Sequence, residues 1–278
     1  MSDPLVSTDW LEKNLELPDL RIIDCTWFMP DAGRDARAEH DALHIPRAVY
    51  FDIDDIADTE SDLPHMLPSP IKFSSRVRKL GLGDGLTIVA YDNNNFYASA
   101  RAWWMFRTMG HEDIKVLDGG FAKWQAEGRR VDDMPDRPSE RHFTPRTNSF
   151  LVRDLEQLRG NLTSRRELVV DTRSAERFAG TVAEPRPGLE AGHIPGSRNV
   201  PASDLLAADG TMKDARGLEA LFAEAGVDLG QPIITSCGSG VSAAVANLAL
   251  ARVGKYDVAL YDGSWTEWGS QPDTPIAR

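Results

Sequence analysis

Cysteine is scarce in this chain: Cys25 and Cys237 are the only two among its 278 residues. Two cysteines cannot build the disulfide framework that stabilises many small secreted domains, so the sequence predicts a reducing compartment. Such a chain is better searched for one reactive thiolate than for a bridge.

Long apolar runs and an excess of positive charge are also missing. No apolar run approaches the roughly 20 residues that span a bilayer, and residues 1–20 lack the basic and apolar regions of a signal peptide. We therefore expect a cytoplasmic protein that does not associate with a membrane. The formal net charge is -12, which repels phosphate backbones and argues against nucleic acid as a partner. An anionic substrate would need a local group of cations.

An internal repeat is the strongest organisational feature that the chain does contain. Three motifs recur in the same order: an apolar run ending in Asp at 21–24 and 168–171, His-Ile-Pro at 44–46 and 193–195, and Asp-Gly with a following Trp at 118–124 and 262–268. The paired motifs lie about 145 residues apart, far more than the period of a solenoid. The sequence therefore predicts two similar domains.

The boundary between these domains is predicted near residue 145. Residues 132–145 contain three prolines and many charges, which is typical of a linker. We expect an N-terminal domain at 1–145, linker included, and a C-terminal domain at 146–278.

Each half alternates short β-branched runs with helical patterns, as in residues 88–90 before 98–109 and residues 233–234 before 241–253. This alternation predicts an α/β fold: two tandem domains, each with a parallel sheet flanked by helices. Ligands of such sheets bind at the carboxyl ends of strands, and Cys237 follows one of these strands.

The loop at residues 237–242 (CGSGVS) combines several features of an anion site. Its glycines let the backbone curl, so that several N–H groups point at one place, and the following helix adds the positive end of its dipole. A helix N-terminus stabilises a nearby anion by about 0.3–1 kcal/mol. That is too little for a reactive thiolate, so loop N–H groups or nearby arginines must contribute. We predict Cys237 as the nucleophile.

The first repeat has Asp92 at the position of Cys237. A carboxylate cannot perform thiolate chemistry, and it repels an anionic substrate. We therefore expect the N-terminal domain to be catalytically silent at its own loop.

Two tandem α/β repeats with a cysteine in the second loop resemble the rhodanese superfamily. The loop itself is similar to that of the 3-mercaptopyruvate sulfurtransferases, which read Cys-Gly-Ser-Gly-Val followed by Thr or Ser. Residues 33–37, 103–107 and 261–265 carry the same resemblance, which covers nearly the whole chain. It implies that sulfur moves from 3-mercaptopyruvate through a persulfide on Cys237, with release of pyruvate. The acceptor would be thioredoxin, a small thiol or cyanide, and no cofactor or metal is implied.

The resemblance also implies which residues support the nucleophile. Arg177 and Arg186 match the two arginines that bind the carboxylate and carbonyl of the donor, and a planar guanidinium suits a carboxylate. The residues alone leave open that both are surface arginines paired with nearby glutamates. The other expected contacts to substrate come from the loop: Gly238, Gly240, Val241 and Ser242.

Ser239, His65 and Asp54 match positions proposed to form a proton relay in the family. A histidine can move a proton near pH 7, and an aspartate can fix its tautomer. Such a relay would bring residues of both repeats to one site. On the residues alone, His65 could equally be a surface histidine in a proline-bounded loop.

Three other functions are alternatives to transfer of sulfur from 3-mercaptopyruvate. Thiosulfate sulfurtransferases carry basic residues directly after the cysteine, where this chain has Gly238 and Ser239. Cysteine-dependent phosphatases need an arginine six residues after the cysteine, where this chain has Ala243. A non-catalytic sulfur carrier or interaction module stays open.

Other motifs are interpreted as structural. The glycine-rich residues 81–85 precede a strand, so they predict a turn and not a nucleotide loop. His40 and His44 have the spacing of metal ligands but no further ligand set nearby. Cys25 is expected to be a buried packing residue.

Overall fold

The computed structural model describes residues 3–278, which form two compact units. The first unit comprises residues 3–59, Leu67–Asn148 and Ala208–Thr211, and the second comprises Glu60–Met66, Ser149–Ala207 and Met212–Arg278. Each unit therefore includes a short segment from the other half of the chain.

The first unit is built on a sheet whose described strands run in the order β1-β5-β4-β2-β3, all parallel. Its strands are β1 (Leu5–Val6), β2 (Leu20–Asp24), β3 (Ala48–Tyr50), β4 (Thr87–Tyr91) and β5 (Ile114–Leu117). Its helices are α1 (Thr8–Asn14), α2 (Ala36–Ala42), α3 (Ile53–Ile56), α4 (Pro70–Lys79), α5 (Tyr97–Thr108) and α6 (Gly120–Ala126).

The second unit repeats this plan, with the parallel order β6-β10-β9-β7-β8. Its strands are β6 (Val152–Arg153), β7 (Leu168–Asp171), β8 (Arg198–Asn199), β9 (Ile233–Ser236) and β10 (Ala259–Tyr261). Its helices are α7 (Leu155–Ser164), α8 (Ala175–Phe178), α9 (Ala215–Glu224), α10 (Ala243–Arg252) and α11 (Ser264–Trp268). The predicted fold class is confirmed.

The apolar character of the central strands explains their position in each sheet. All four residues of β9 and four of the five in β4 are buried, as expected for parallel strands covered by helices on both faces. The helices that follow these strands, α5 and α10, end before Gly110 and Gly254. Both glycines have a left-handed φ, at 87° and 88°, which stops a helix.

Helix α10 begins at Ala243, two residues later than the pattern 241–253 suggests. Gly240 adopts a φ of 78°, which is incompatible with a right-handed helix, and Ser242 is the N-cap residue. Residues 237–242 are therefore a loop between the central strand and the helix.

Residues 81–85 form the predicted turn before β4. A Cβ atom at Gly83 would collide with the carbonyl oxygen of His142, the same oxygen that accepts a 2.8 Å hydrogen bond from the N–H of Asp84. This glycine is thus required for close approach of two chain segments. Within residues 3–278, no helix combines the length and the apolar character that crossing a membrane demands.

Candidate active site

Cys237 follows the central strand β9 directly and is 2% exposed. Its N–H donates to Oγ of Ser264 at 3.2 Å, and its carbonyl accepts the N–H of Trp265 at 2.9 Å. The carbonyl of Gly238 accepts the N–H of Thr266 at 2.8 Å and its hydroxyl at 2.7 Å. Both carbonyls are therefore turned toward the start of α11. In a trans peptide the N–H points away from the carbonyl, so the following N–H groups face the opposite side of the loop.

These N–H groups are available for an anion. Across residues 3–278, no protein acceptor is found for the N–H groups of Gly238, Ser239, Val241, Ser242 and Ala243. They lie at the N-terminus of the ten-residue helix α10, where the helix dipole adds to their partial positive charge. Open N–H groups at a helix N-terminus are what an anion nest requires, and anion binding by this loop stays a prediction.

The corresponding loop of the first unit is filled by a side chain of the protein itself. Asp92 follows the central strand β4, and Oδ1 accepts the N–H groups of Asn94 and Phe96 at 3.0 Å each, while Oδ2 accepts that of Ser99 at 2.8 Å. Burial raises the pKa of Asp92 above its ordinary value, against the opposing effect of these hydrogen bonds. In the first repeat, a buried carboxyl group thus accepts hydrogen bonds from the N–H groups of the loop.

Arg177 and Arg186 both reach the cysteine loop. A Cβ atom at Gly238 would lie 3.2 Å from Nη2 of Arg177 and 4.0 Å from Nη1 of Arg186. Gly238 does not have a left-handed φ, so its lack of a side chain matters here for space. The absent side chain leaves room between the loop backbone and the two guanidinium groups.

Arg177 is also paired with a glutamate, as expected for a surface arginine. Its Nε and Nη2 donate to the two oxygens of Glu184 at 3.1 and 2.5 Å. Arg177 keeps a quarter of its side-chain surface exposed, whereas Glu184 keeps 2%. Arg186 forms no ion pair with any residue that the structure describes. The two interpretations of Arg177 are therefore compatible.

A buried arginine connects Glu184 to the sheet. Arg173 donates from Nη1 to Glu184 at 2.9 Å and from Nη2 to Asp171, the last residue of β7, at 2.6 Å. Its guanidinium lies 4.2 Å from the ring centre of Trp265. Burial by itself lowers the pKa of Arg173, yet Asp171 and Glu184 hold that pKa above its ordinary value. The three charged groups form a fixed network beside the cysteine loop.

His65 belongs to the second unit although it lies in the first half of the sequence. Its Nδ1 is 3.0 Å from Oγ of Ser239, and both side chains are buried. The donor of this hydrogen bond depends on the tautomer of the imidazole. His65 has a left-handed φ of 61°, a conformation that costs a non-glycine residue about 1–2 kcal/mol and persists where the surroundings enforce it.

Asp54, the third member of the predicted relay, belongs to the first unit. It lies in α3 and accepts a 2.8 Å hydrogen bond from the indole of Trp27. Its link to His65 stays a prediction.

The remaining loop residues predicted to contact substrate lie around the same N–H groups. Oγ of Ser242 is 3.2 Å from Oγ1 of Thr172, and the carbonyl of Val241 accepts the N–H of Ala244 at 3.2 Å. Gly240 supplies the left-handed turn that precedes both residues.

Sequence reasoning missed Ser264 and Arg173. Ser264 has a φ of 50°, and it occupies the position of Gly120 in the first repeat, so a serine replacing a glycine was a usable signal. Its hydroxyl accepts the N–H of Cys237 and donates to the carbonyl of Tyr261 at 2.8 Å.

The other candidates are structural in this fold. Cys25 is fully buried, and burial raises the pKa of its thiol well above the ordinary value, so it stays protonated. The rings of His40 and His44 stack at 4.3 Å, and Nδ1 of His40 is 2.9 Å from Asp24. No cluster suited to a metal ion occurs in the described part of the chain.

Comparison with known proteins places this arrangement among sulfur-transferring proteins. The profile of the rhodanese-like domain matches residues 7–127 and 154–271. The chain is 40% identical to an Arabidopsis thaliana protein named thiosulfate/3-mercaptopyruvate sulfurtransferase 1, mitochondrial, over 99% of this chain and 78% of that protein. It is 42% identical to the thiosulfate sulfurtransferase of Mus musculus, over 99% and 95% of the two chains.

A solved structure is similar as well. The crystal structure of SseA from Escherichia coli, a 3-mercaptopyruvate sulfotransferase with the rhodanese fold, matches this chain with a TM-score of 0.87 and 38% sequence identity. The match covers 95% of this chain and 99% of that one.

Proposed function

Because the chain belongs to the rhodanese family, we propose that it is a sulfurtransferase that moves sulfur from 3-mercaptopyruvate through a persulfide on Cys237. One observation carries the choice of donor: Arg177 and Arg186 both reach the space above Gly238, beside the reactive cysteine. Two guanidinium groups suit the carboxylate and ketone of this donor.

The first half-reaction transfers the sulfur to the enzyme. The thiolate of Cys237 attacks the sulfur of the donor, forming the S–S bond while the C–S bond breaks. The electron pair of that bond goes to the three-carbon fragment, which becomes the enolate of pyruvate. Arg177 and Arg186 stabilise the negative charge that develops there, and protonation at carbon yields pyruvate.

The persulfide is then held by the loop. The N–H groups of Gly238 and Ser239 face the side of the loop opposite the carbonyls of Cys237 and Gly238, and together with the open N–H groups of residues 241–243 they are proposed to stabilise an anionic outer sulfur. The seating of the Asp92 carboxylate in the other repeat supports this geometry. In the second half-reaction a thiolate or cyanide attacks the outer sulfur and restores the Cys237 thiolate.

Ser239 and His65 are the proposed proton-handling pair. Their 3.0 Å contact supports transfer of a proton between the serine hydroxyl and the imidazole, and Ser239 follows Gly238 in the loop where the donor is proposed to bind. Asp54 is proposed to orient His65.

Thiosulfate is the alternative donor, and the similarity to a thiosulfate sulfurtransferase favours it. Against it, no cation directly follows Cys237, and Arg177 is already paired with Glu184. The site around Cys237 is therefore less suited to a dianion than to a monocarboxylate.

The acceptor is thioredoxin or a small thiol, the location is cytoplasmic, and no nucleic acid or membrane takes part. The N-terminal domain, at 1–145, is silent at Asp92, and the C-terminal domain, at 146–278, is catalytic.

The test compares donors. The purified protein is incubated with 3-mercaptopyruvate or thiosulfate plus cyanide or dithiothreitol, and pyruvate, thiocyanate and sulfide are followed, with Cys237→Ser as the control. We expect a strong preference for 3-mercaptopyruvate that the variant abolishes. Preference for thiosulfate would contradict the choice of donor, and activity with neither would favour a carrier role.

A further inference from the structure

We propose that Glu184 is a positioning residue that holds Arg177 in the orientation needed to bind the donor's carboxylate. The inference rests on the proposed function, since it concerns the same substrate. It adds a residue that touches neither the nucleophile nor, in this assignment, the substrate.

The contact between the two side chains fixes the plane of the guanidinium. Nε and Nη2 of Arg177 donate to the two oxygens of Glu184, at 3.1 and 2.5 Å. A two-point contact of this kind prevents the guanidinium from rotating about its stem. The N–H groups not used by Glu184 are the second of Nη2 and both of Nη1. Nη2 and Nη1 are also the atoms nearest to Gly238, at 3.2 and 4.0 Å from its Cβ position.

Glu184 is itself buried and hydrogen-bonded to two arginines. Its side chain is 2% exposed, and Oε1 also accepts a 2.9 Å hydrogen bond from Nη1 of Arg173. Arg173 is fully buried and is bonded on its other edge to Asp171 at the end of β7 and to the carbonyl of Gly192 at 2.7 Å. The buried side chains of Arg173 and Glu184 therefore connect the end of β7 to Arg177.

This network is too ordered to be an incidental surface ion pair. Surface pairs contribute little because both side chains remain mobile in water. Here the carboxylate of Glu184 is buried and accepts hydrogen bonds from two arginines. Its removal would therefore change how both guanidinium groups are held.

The charge of Glu184 also affects which donor is preferred. Glu184 offsets the charge of Arg177, whereas Arg186 forms no ion pair within residues 3–278. The two arginines and the glutamate therefore present a net charge of about one positive unit, which matches a monocarboxylate better than a dianion.

The experiment measures kcat and KM for 3-mercaptopyruvate and for thiosulfate, with cyanide as acceptor, in wild type, Glu184→Gln, Arg177→Ala and the double variant. In Glu184→Gln we expect KM for 3-mercaptopyruvate to rise about tenfold while kcat changes less than about threefold. KM for thiosulfate does not rise, because a negative charge has been removed. In the Arg177→Ala background, Glu184→Gln changes KM less than about twofold, since the two residues act as one unit.

The matched control is Glu167→Gln. Glu167 also receives a two-point contact from an arginine in the same unit, Arg153, at 3.0 and 2.8 Å, but it is not part of the network around Arg177. This variant keeps both KM values. An unchanged KM for 3-mercaptopyruvate in Glu184→Gln, an equal rise for both donors, or a full effect in the Arg177→Ala background would each overturn the inference.

A second variant covers the case in which Glu184→Gln does not fold. Glu184→Asp keeps the negative charge and leaves Arg177 unchanged, but its side chain is one methylene shorter and cannot keep the contacts to both Arg177 and Arg173. We expect the same rise in KM, and wild-type KM in this variant would overturn the role of orientation. If wild type itself does not prefer 3-mercaptopyruvate, the proposed function fails. If wild type prefers it and Glu184→Gln is unaffected, only the present inference fails.

Discussion

Asp92 and Cys237 occupy the same place in the two repeats, each directly after the central strand of its sheet. The carboxylate oxygens of an aspartate lie as many bonds from Cβ as the outer sulfur of a cysteine persulfide. Asp92 accepts three backbone N–H groups with these oxygens. Two of the corresponding groups in the second repeat, on Ser239 and Val241, have no acceptor within residues 3–278. The first domain therefore shows where the transferred sulfur is expected to rest in the second.

Replacing Asp92 by alanine is expected to destabilise the protein. Three N–H groups would lose their acceptor in a buried loop, and each unsatisfied buried group costs about 1–3 kcal/mol before water enters the cavity. Thermal unfolding measures the loss, and Asp41→Ala, which removes an exposed carboxylate paired with Arg37, is the control. An unchanged melting temperature in Asp92→Ala would contradict the role of the carboxylate in its loop.

Only one of the two thiols is expected to carry sulfur. After treatment with 3-mercaptopyruvate, mass spectrometry of peptides is expected to find one added sulfur atom on Cys237 and none on Cys25. The reason is that burial raises the pKa of Cys25 and keeps it protonated. Cys237→Ser abolishes the turnover, whereas Cys25→Ala retains it. Loss of turnover in Cys25→Ala without loss of fold would be inconsistent with this assignment.

Removing the imidazole of His65 is expected to lower kcat for 3-mercaptopyruvate about 100-fold, the usual contribution of a general acid or base. The contact with Ser239 would be lost, and the enolate of pyruvate would have to take its proton from water. The loss is smaller with thiosulfate, because sulfite leaves without protonation at carbon. Rates of His65→Ala are measured across pH, with the exposed His142→Ala as the control. Full activity of His65→Ala at every pH would rule out the relay.

An arginine at position 238 is expected to block the donor. Its Cβ would lie 3.2 Å from Nη2 of Arg177, so the new side chain both fills the substrate space and repels two guanidinium groups. We expect kcat/KM for 3-mercaptopyruvate to fall at least about 100-fold, equivalent to about 2.7 kcal/mol. Gly160→Arg is the control, since a Cβ there meets nothing within 4 Å. Comparable losses in both variants would indicate a general effect of added charge.

Stability at low pH is expected to depend on Glu127. Hydrogen bonds from Thr8, Lys123 and Arg129 lower the pKa of Glu127 from 4.5 to about 2. A carboxyl whose pKa is lower in the folded state stabilises the protein above its unfolded pKa, and that contribution disappears as pH falls through the folded value. Because Glu127 is partly exposed, screening limits its contribution to about 1 kcal/mol at pH 7.

The measurement compares Glu127→Gln with wild type by denaturant unfolding. The two free energies of unfolding are expected to differ at pH 7 and to converge between pH 4.5 and about 2. Glu16→Gln, at a well-exposed pair with Arg130, is the control. A difference that persists at pH 2 would contradict an electrostatic origin.

Much of the fold was predictable because it follows from local patterns. The repeat predicted two similar domains, and the alternation of strands and helices predicted the parallel sheets. The end of α5 was placed within one residue because Gly110 stops it. The cysteine loop was predictable for the same reason, since its glycines and its place between strand and helix are local features.

The supporting residues depend on the path of long loops and were less accessible. His65 and Ser239 are 174 residues apart in sequence, and only the family resemblance linked them. The pairing of Arg177 with Glu184 was among the alternatives, but the burial of Arg173 beneath it was not anticipated. No periodic pattern relates Asp171, Arg173 and Glu184, since the loop after β7 brings them together.

The inclusion of Glu60–Met66 in the second unit has a consequence for dividing the chain into its two halves. Here a break after Asn148 would leave the second half of the chain without Glu60–Met66, and hence without His65. The second half alone is therefore not expected to form the contact between His65 and Ser239, even though the two sheets share one plan.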